Sequence, residues 1–233
     1  MKDMMSDENR RRTEGTVMNV CTESKGAAVL CELVHTLDHV VATTPKARQP
    51  AAVAVALAPY LGRADLLRDA DRRGSPHHYR TNVVHVEPRG AYSIVALVWQ
   101  PGQRTPIHSH RSWCVVGVHE GRELERSFRV GAGGLVQIDE HVLEQGHVTW
   151  LHQGEQDIHD VANADVATTI SIHVYGLDYA AAGSSILDVY DETRPDACYR
   201  RVRSLVRDES CTIERQSSQS AQTTHLEVSP NAR

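Results

Sequence analysis

The chain has no run of about 18 apolar residues, so no membrane-spanning helix is expected. Its start, MKDMMSDENRRRTEG, lacks the apolar core of a signal peptide. There is no basic stripe either: 25 Lys and Arg stand against 30 Asp and Glu for a net charge of −5, which argues against a nucleic-acid partner. The five cysteines, Cys21, Cys31, Cys114, Cys198 and Cys211, have neither the paired spacing of a zinc site nor an even count for disulfides. That pattern suits a reducing cytoplasm. No internal repeat is present.

What is present is enough to fold. With 233 residues and 40% hydrophobic content the chain can bury one sizeable core. Residues 1–25 are polar and aperiodic, and 206–233 are polar and end rich in Ser, Gln and Thr; both ends are expected to be disordered around one domain, 26–205. From Ala27, AAVLCELVHTLDHVV places Val29, Leu30, Leu33, Leu37, Val40 and Val41 at helical spacing. Pro50 opens a second, alanine-rich helix that Pro59 and Gly62 end, and ADLLRDADRRG predicts a short third turn, so helices fill 27–70. His35 and His39 lie one turn apart on the first helix and are read as solvated positions. Beyond Gly74 and Pro76 the period changes. Eight short β-branched or alternating runs, from YRTNVVHVEP to TTISIHVYGL, predict an antiparallel sandwich or barrel over 78–190, with GAGG at 131–134 as a hairpin turn and SSILDVYD as a closing strand.

Eight of the 14 histidines fall between His108 and His173. His108 and His110 are two apart, so in an extended segment they share a face and can reach one ion. Neutral imidazoles suit divalent iron, nickel, copper or zinc. Gly102, five residues, His-x-His, three residues, Cys114, six residues and Gly121 together resemble the first motif of the cupin superfamily. Cupins usually carry a glutamate ligand where Cys114 stands. A cysteine there resembles the cysteine dioxygenase branch of the thiol dioxygenases, in which three histidines hold the iron. The resemblance implies a mainly β, cupin-type antiparallel barrel, a jelly roll preceded by two or three helices.

It also implies the rest of the site. Asp157 to Asn163, with His159 and Asn163 four apart, resembles the second cupin motif, which supplies the last histidine ligand and an asparagine that steadies a turn. His147 and His152 are rival ligands. Ser171, His173 and Tyr175 alternate along one strand and share a face, with Ile170, Ile172 and Val174 on the other. Ser-x-His-x-Tyr resembles the thiol dioxygenase arrangement in which the serine orients the histidine and the histidine holds the tyrosine near the iron. In animal cysteine dioxygenases the counterpart of Cys114 is joined to that tyrosine by a thioether. A buried, inert Cys114 with Val116 and Val118 on its inward face is the alternative.

The substrate end is less marked. Tyr79-Arg80-Thr81 resembles the early strand whose arginine or glutamine holds the substrate carboxylate in the family, but the matching slot holds Thr81, which cannot form a bidentate charged pair. Arg80, turned in by a bulge, Arg104 and Arg111 are the other cations near the site. Trp99 and Trp113 flank the motif as pocket walls or core. The resemblance implies an Fe(2+) enzyme that oxidises a small carboxylate-bearing thiol with O2 to the sulfinic acid. Cysteine is favoured and 3-mercaptopropionate is the alternative. A metal- or ligand-binding cupin without catalysis, and a zinc or manganese isomerase or hydrolase, are the other readings. The expected state is a monomer or weak homo-oligomer without membrane attachment.

Overall fold

The computed structural model describes residues 25–131, 134–153, 157–190 and 199–201. Helix α1 (Lys25–Thr43) buries Val29, Leu30, Leu33 and Leu37 along one stripe. Helix α2 (Gln49–Leu57) has Pro50 in its first turn, where a missing N–H costs nothing, and buries Val53, Ala54 and Leu57. Short 3-10 turns at 46–48 and 58–60 flank it. The expected third turn over 64–74 is not a helix. Asp71 accepts hydrogen bonds there from the Arg68 backbone N–H (3.2 Å) and guanidinium (2.7 Å), and Asn82 Nδ2 donates to the carbonyls of Asp71 and Arg73. Such side-chain bonds compete with a helix for the backbone. The expected disordered ends lie outside the described residues, except that Lys25 opens α1.

Among the described residues eleven strands follow: β1 (Arg80–Val86), β2 (Ser93–Trp99), β3 (Ile107–His110), β4 (Cys114–Glu120), β5 (Arg122–Gly131), β6 (Gly134–Glu144), β7 (Val148–Leu151), β8 (Ile158–Asn163), β9 (Thr169–Tyr175), β10 (Ile186–Tyr190) and β11 (Tyr199–Arg201). A one-turn helix α3 (Tyr179–Ala182) separates β9 from β10. They pair antiparallel in two sheets, β1-β2-β9-β4-β7 and β11-β10-β3-β8-β5-β6. Strands distant in sequence become neighbours in both sheets, the double-stranded β-helix order of a cupin-type jelly roll. The expected eight runs and the closing strand all became strands, and β5 and β6 pair to Gly131↔Gly134 across the expected hairpin.

The central strands of the five-stranded sheet, β2, β9 and β4, are buried on both faces, and this fixes where the site lies. Its outer face, with Ile94, Ala96, Val98, Val115, Ile170, Ile172 and Val174, packs under α1 and α2. A Cβ at Gly117 would meet Leu61 at 2.8 Å and Leu57 at 3.1 Å, so the absent side chain lets β4 approach the helical layer closely. The inner face presents Val95, Leu97, Trp99, Cys114, Val116 and Tyr175 to the barrel interior. Among the described residues no helix is long and apolar enough to cross a membrane. Among the described residues Cys114 is a free, buried cysteine.

Candidate metal centre

Strand β3 lies between β10 and β8 and carries His108 and His110. His159 on β8 is the direct cross-strand partner of His108. All three are buried, and their candidate ligand atoms lie within 4.8 Å of one another. Ring centroids are 4.8 Å apart for His108–His110 and for His108–His159, and 5.0 Å for His110–His159.

Each ring is held from behind through Nδ1. The partners are the Pro106 carbonyl at 2.9 Å from His108, Asp157 Oδ1 at 2.9 Å from His110, and Glu125 Oε1 at 2.7 Å from His159. A carbonyl and an ionised carboxylate can only accept, so against these partners each Nδ1 carries the hydrogen, and each ring, when neutral, keeps its lone pair on Nε2. Asp157 also accepts the backbone N–H of His110 at 3.0 Å. His159 Nε2 is buried without a hydrogen-bond partner. A buried imidazole nitrogen left bare costs free energy that a cation would recover. The donor set therefore fits a divalent metal held by three imidazoles. Burial holds His108 and His110 well below the usual histidine range, which keeps them neutral and able to ligate. Burial also presses His159 down, but its bond to Glu125 overrides this and holds it above its ordinary value.

The cavity beside these rings is lined by Tyr79, Trp99, Thr105, His108, His159, His173, Tyr175 and Ser185, among others. On β9, Ser171 Oγ lies 2.9 Å from His173 Nε2, and His173 Nδ1 lies 3.1 Å from the Tyr175 hydroxyl. Trp99 Nε1 donates to Ser171 Oγ at 3.1 Å. Cys114 faces Tyr175 as its cross-strand partner between β4 and β9, and its Sγ is 4.0 Å from His173 Nδ1. Burial pushes the Cys114 thiol well above its usual range, so it sits there protonated. Asn163 Nδ2 donates to the carbonyls of Trp99 (3.1 Å) and Ala167 (2.8 Å), while its Oδ1 accepts from the Asp165 N–H and the Thr169 hydroxyl. These bonds fix the turn from β8 into β9.

The sequence-derived substrate residues separate. Tyr79 is buried against Trp99, with centroids 4.7 Å apart, and lines the cavity. Arg80 is exposed and Thr81 half-buried, and neither is on the cavity wall. Arg104 is paired with Asp160 at 3.1 Å, and Arg111 Nε donates to the Ile186 carbonyl at 2.8 Å. The rival ligands His147 and His152 are exposed. Trp113 sits against Gly176, where an added Cβ would be 2.3 Å from its ring.

Three acids escaped the sequence reading. Glu125 and Asp157 back His159 and His110, and Glu123, two residues before Glu125 on β5, points into the same interior with no exposed surface. Alternation along RELERSFRV was the available signal, since it puts Glu123 and Glu125 on one face. Neither carboxyl oxygen of Glu123 has a hydrogen-bond partner. Burial pushes its pKa from 4.5 up to about 7. The folded state thus holds this proton more tightly than the unfolded chain, and stability falls as pH rises through that window. Glu123→Gln, uncharged throughout, should raise the Tm of the metal-free protein by several degrees at about pH 8 and by little at about pH 4. Melts giving the same shift at both pH values would contradict this burial effect.

No family model matches the chain. Among solved structures it is similar to an uncharacterized conserved protein with a double-stranded β-helix domain from Klebsiella pneumoniae, at 21% identity over 48% of this chain and 88% of that one, with a TM-score of 0.37. It is similar also to TT1209 from Thermus thermophilus, at 23% identity over 48% of this chain and 96% of that one, TM-score 0.37. A third similar structure is an oxalate oxidase, at 17% identity over 45% of this chain and 53% of that one, TM-score 0.36. The two antiparallel sheets of this chain form a jelly-roll-type β barrel, and its buried histidine trio is a candidate three-histidine metal centre.

Proposed function

We propose that the protein is a non-haem iron(II) dioxygenase of a small thiol, with cysteine first and 3-mercaptopropionate second among substrates. The observation that carries this reading is the composition of one cavity. Three imidazoles converge without a carboxylate among them, two of them, His108 and His159, on the cavity wall, and His173 and Tyr175 of the Ser171–His173–Tyr175 chain line the same space. The two acids that reach the trio, Asp157 and Glu125, are spent on imidazole Nδ1 atoms. Iron(II) held by His108, His110 and His159 would supply the redox chemistry that adds both atoms of O2 to a thiol sulfur, giving a sulfinic acid.

The protein's own groups do the positioning. Asp157, Glu125 and the Pro106 carbonyl fix the three rings. The Tyr175 hydroxyl faces the cavity and is oriented by His173, which Ser171 and then Trp99 hold in turn. Tyr79, Thr105 and Ser185 line the wall and carry the hydroxyls that the far end of a substrate, including a carboxylate, would meet. Cys114 lies opposite Tyr175, where the resemblance puts a thioether bond. The apolar wall of Leu97, Val161 and Ile186 keeps bulk water from the reacting sulfur.

Protein loaded anaerobically with iron(II) should consume O2 when given cysteine or 3-mercaptopropionate and release one sulfinate per O2. An oxygen electrode and mass analysis of the product check this. No uptake across a broad thiol panel would overturn the enzyme reading in favour of a metal- or ligand-binding module.

A further inference from the structure

Tyr175 ends β9 beside the candidate metal centre, and its backbone is fixed from both sides. Ser93 on β2 and Cys114 on β4 are its direct cross-strand partners. The next residue, Gly176, donates its N–H to the Trp113 carbonyl at 3.0 Å, and its missing side chain leaves room for the Trp113 ring. A ladder of this kind holds a backbone. It does not hold the side-chain torsions that carry a phenol oxygen at the far end of the ring. The contact at 3.1 Å with His173 Nδ1 restrains that oxygen at one point and leaves the ring plane to turn about it. A hydroxyl kept in one place needs a second restraint.

The connection from β9 to β10 supplies it. Tyr175 has three aromatic neighbours among the described residues: His173 at 5.8 Å and 34°, His110 at 5.8 Å and 39°, and Tyr179 at 5.7 Å and 28° between ring planes. His173 belongs to the hydrogen-bonded chain and His110 to the candidate metal centre. Tyr179 belongs to neither and is not on the cavity wall, yet it is buried and lies closest to parallel with Tyr175. It opens α3, a single turn too short to be stable by itself. Three devices hold that turn. Asp178 caps it by accepting the Ala181 N–H at 2.9 Å, and Gly183 ends it in the left-handed conformation, with φ 71°. Ser93, fully buried, ties it to β2, since its hydroxyl accepts the Tyr179 N–H at 3.0 Å and donates to the Leu177 carbonyl at 2.9 Å. The ladder partner of Tyr175 thus fixes the backbone of the ring stacked on Tyr175.

We infer that Tyr179 is a positioning residue for Tyr175 and that Ser93 sets Tyr179 in place. A stacked aromatic pair favours its own arrangement by about 2- to 10-fold over unstacked ones. Tyr179 therefore biases Tyr175 toward the orientation in which its hydroxyl meets His173. Trp99 restrains the same chain at the Ser171 end. The consequence for turnover rests on the thiol reading above; the restraint on the ring does not.

The test reads the ring first and turnover second, both on the full chain. Tyrosine rings are labelled with carbon-13, and the Tyr175 signals are assigned by their loss in Tyr175→Phe. In metal-free wild type the Tyr175 ring should be well ordered and slow to flip. Tyr179→Leu keeps apolar bulk without a ring plane, so Tyr175 should lose order and flip faster. Tyr179→Phe keeps the plane and should restore the wild-type behaviour. Ser93→Ala unties the turn but leaves both rings, and should shift Tyr175 the same way by less. With iron(II) and cysteine, kcat should fall by about 3- to 10-fold in Tyr179→Leu and recover in Tyr179→Phe, while KM stays within about twofold. Iron affinity should match the wild type in both. A Tyr175 ring that stays as ordered as the wild type in Tyr179→Leu, or in Ser93→Ala where the leucine protein does not fold, overturns the inference. So does a Tyr179→Phe protein in which Tyr175 is as mobile as in the leucine one. A wild type that oxidises no thiol removes the enzyme reading, and the ring measurements still decide the role of Tyr179.

Discussion

Replacing His159 with alanine should weaken iron(II) binding by more than about 100-fold, because substituting a mere partner of a ligand already costs about 10–100-fold. His159 is one of three buried nitrogen donors, and it is the one whose Nε2 is enclosed and unpartnered. Its removal leaves two imidazoles on a single strand, a bidentate hold without the cross-strand arm that closes the cage. The fold should survive, since β8 keeps its ladder to β5 and Asn163 keeps its turn. His152→Ala is the control, for its ring is exposed and away from the trio, and its iron affinity should match the wild type. Glu125→Gln and Asp157→Asn should fall between these extremes, at about 10–100-fold, because each loosens one ring without deleting a donor. Anaerobic equilibrium dialysis against iron(II) reads all four. A His159→Ala protein that holds iron as tightly as the wild type would remove His159 from the metal centre.

The architecture was legible because strands in this barrel alternate cleanly. Ile170, Ile172 and Val174 against Ser171, His173 and Tyr175 announced a strand with two buried faces of different chemistry, and both faces are where alternation put them. The histidine pair on β3 was legible for the same reason. The segment 64–74 misled because leucines and charges in a short stretch satisfy a helical pattern, while the preference of Asp71 for the Arg68 backbone does not show in periodicity. The acids behind the metal centre were hidden by a different effect. A glutamate in an alternating strand reads as a solvent-facing residue, and β6, which pairs with β5, carries Asp139, Glu140 and Glu144 exposed. Burial decides the matter: Glu123 is fully enclosed while its neighbour Arg122 is exposed, and no local feature of the sequence records which face closes over. The hydroxyl residues on the cavity wall, such as Thr105 and Ser185, were illegible because they come from loops far apart in the chain and form no motif.

Trp99→Ala should cost about 3–5 kcal/mol of stability, among the largest effects available to one substitution in this chain. The indole is fully buried at the inner face of β2, packs on Tyr79 and sits beside the apolar cluster of Val95, Leu97, Cys114 and Tyr175. Its loss opens a cavity between two sheets whose other members are held by ladders and cannot easily collapse into it. Trp99→Phe separates packing from hydrogen bonding. It retains most of the apolar volume but deletes the N–H that Ser171 accepts at 3.1 Å, and the expected loss is smaller, about 1–2 kcal/mol. The phenylalanine protein should still bind iron(II) as the wild type does, since Trp99 touches none of the three Nδ1 partners. With its fixed donor gone, Ser171 rotates more freely and His173 and Tyr175 lose the restraint at their inner end, so turnover should fall while iron occupancy holds. Urea melts with an unchanged slope, paired with iron titration and oxygen uptake on the same samples, read the three quantities separately. Iron affinity falling in step with stability would mean that Trp99 supports the candidate metal centre directly, and the division between a cage built on β3 and β8 and a hydrogen-bonded chain built on β9 would not hold.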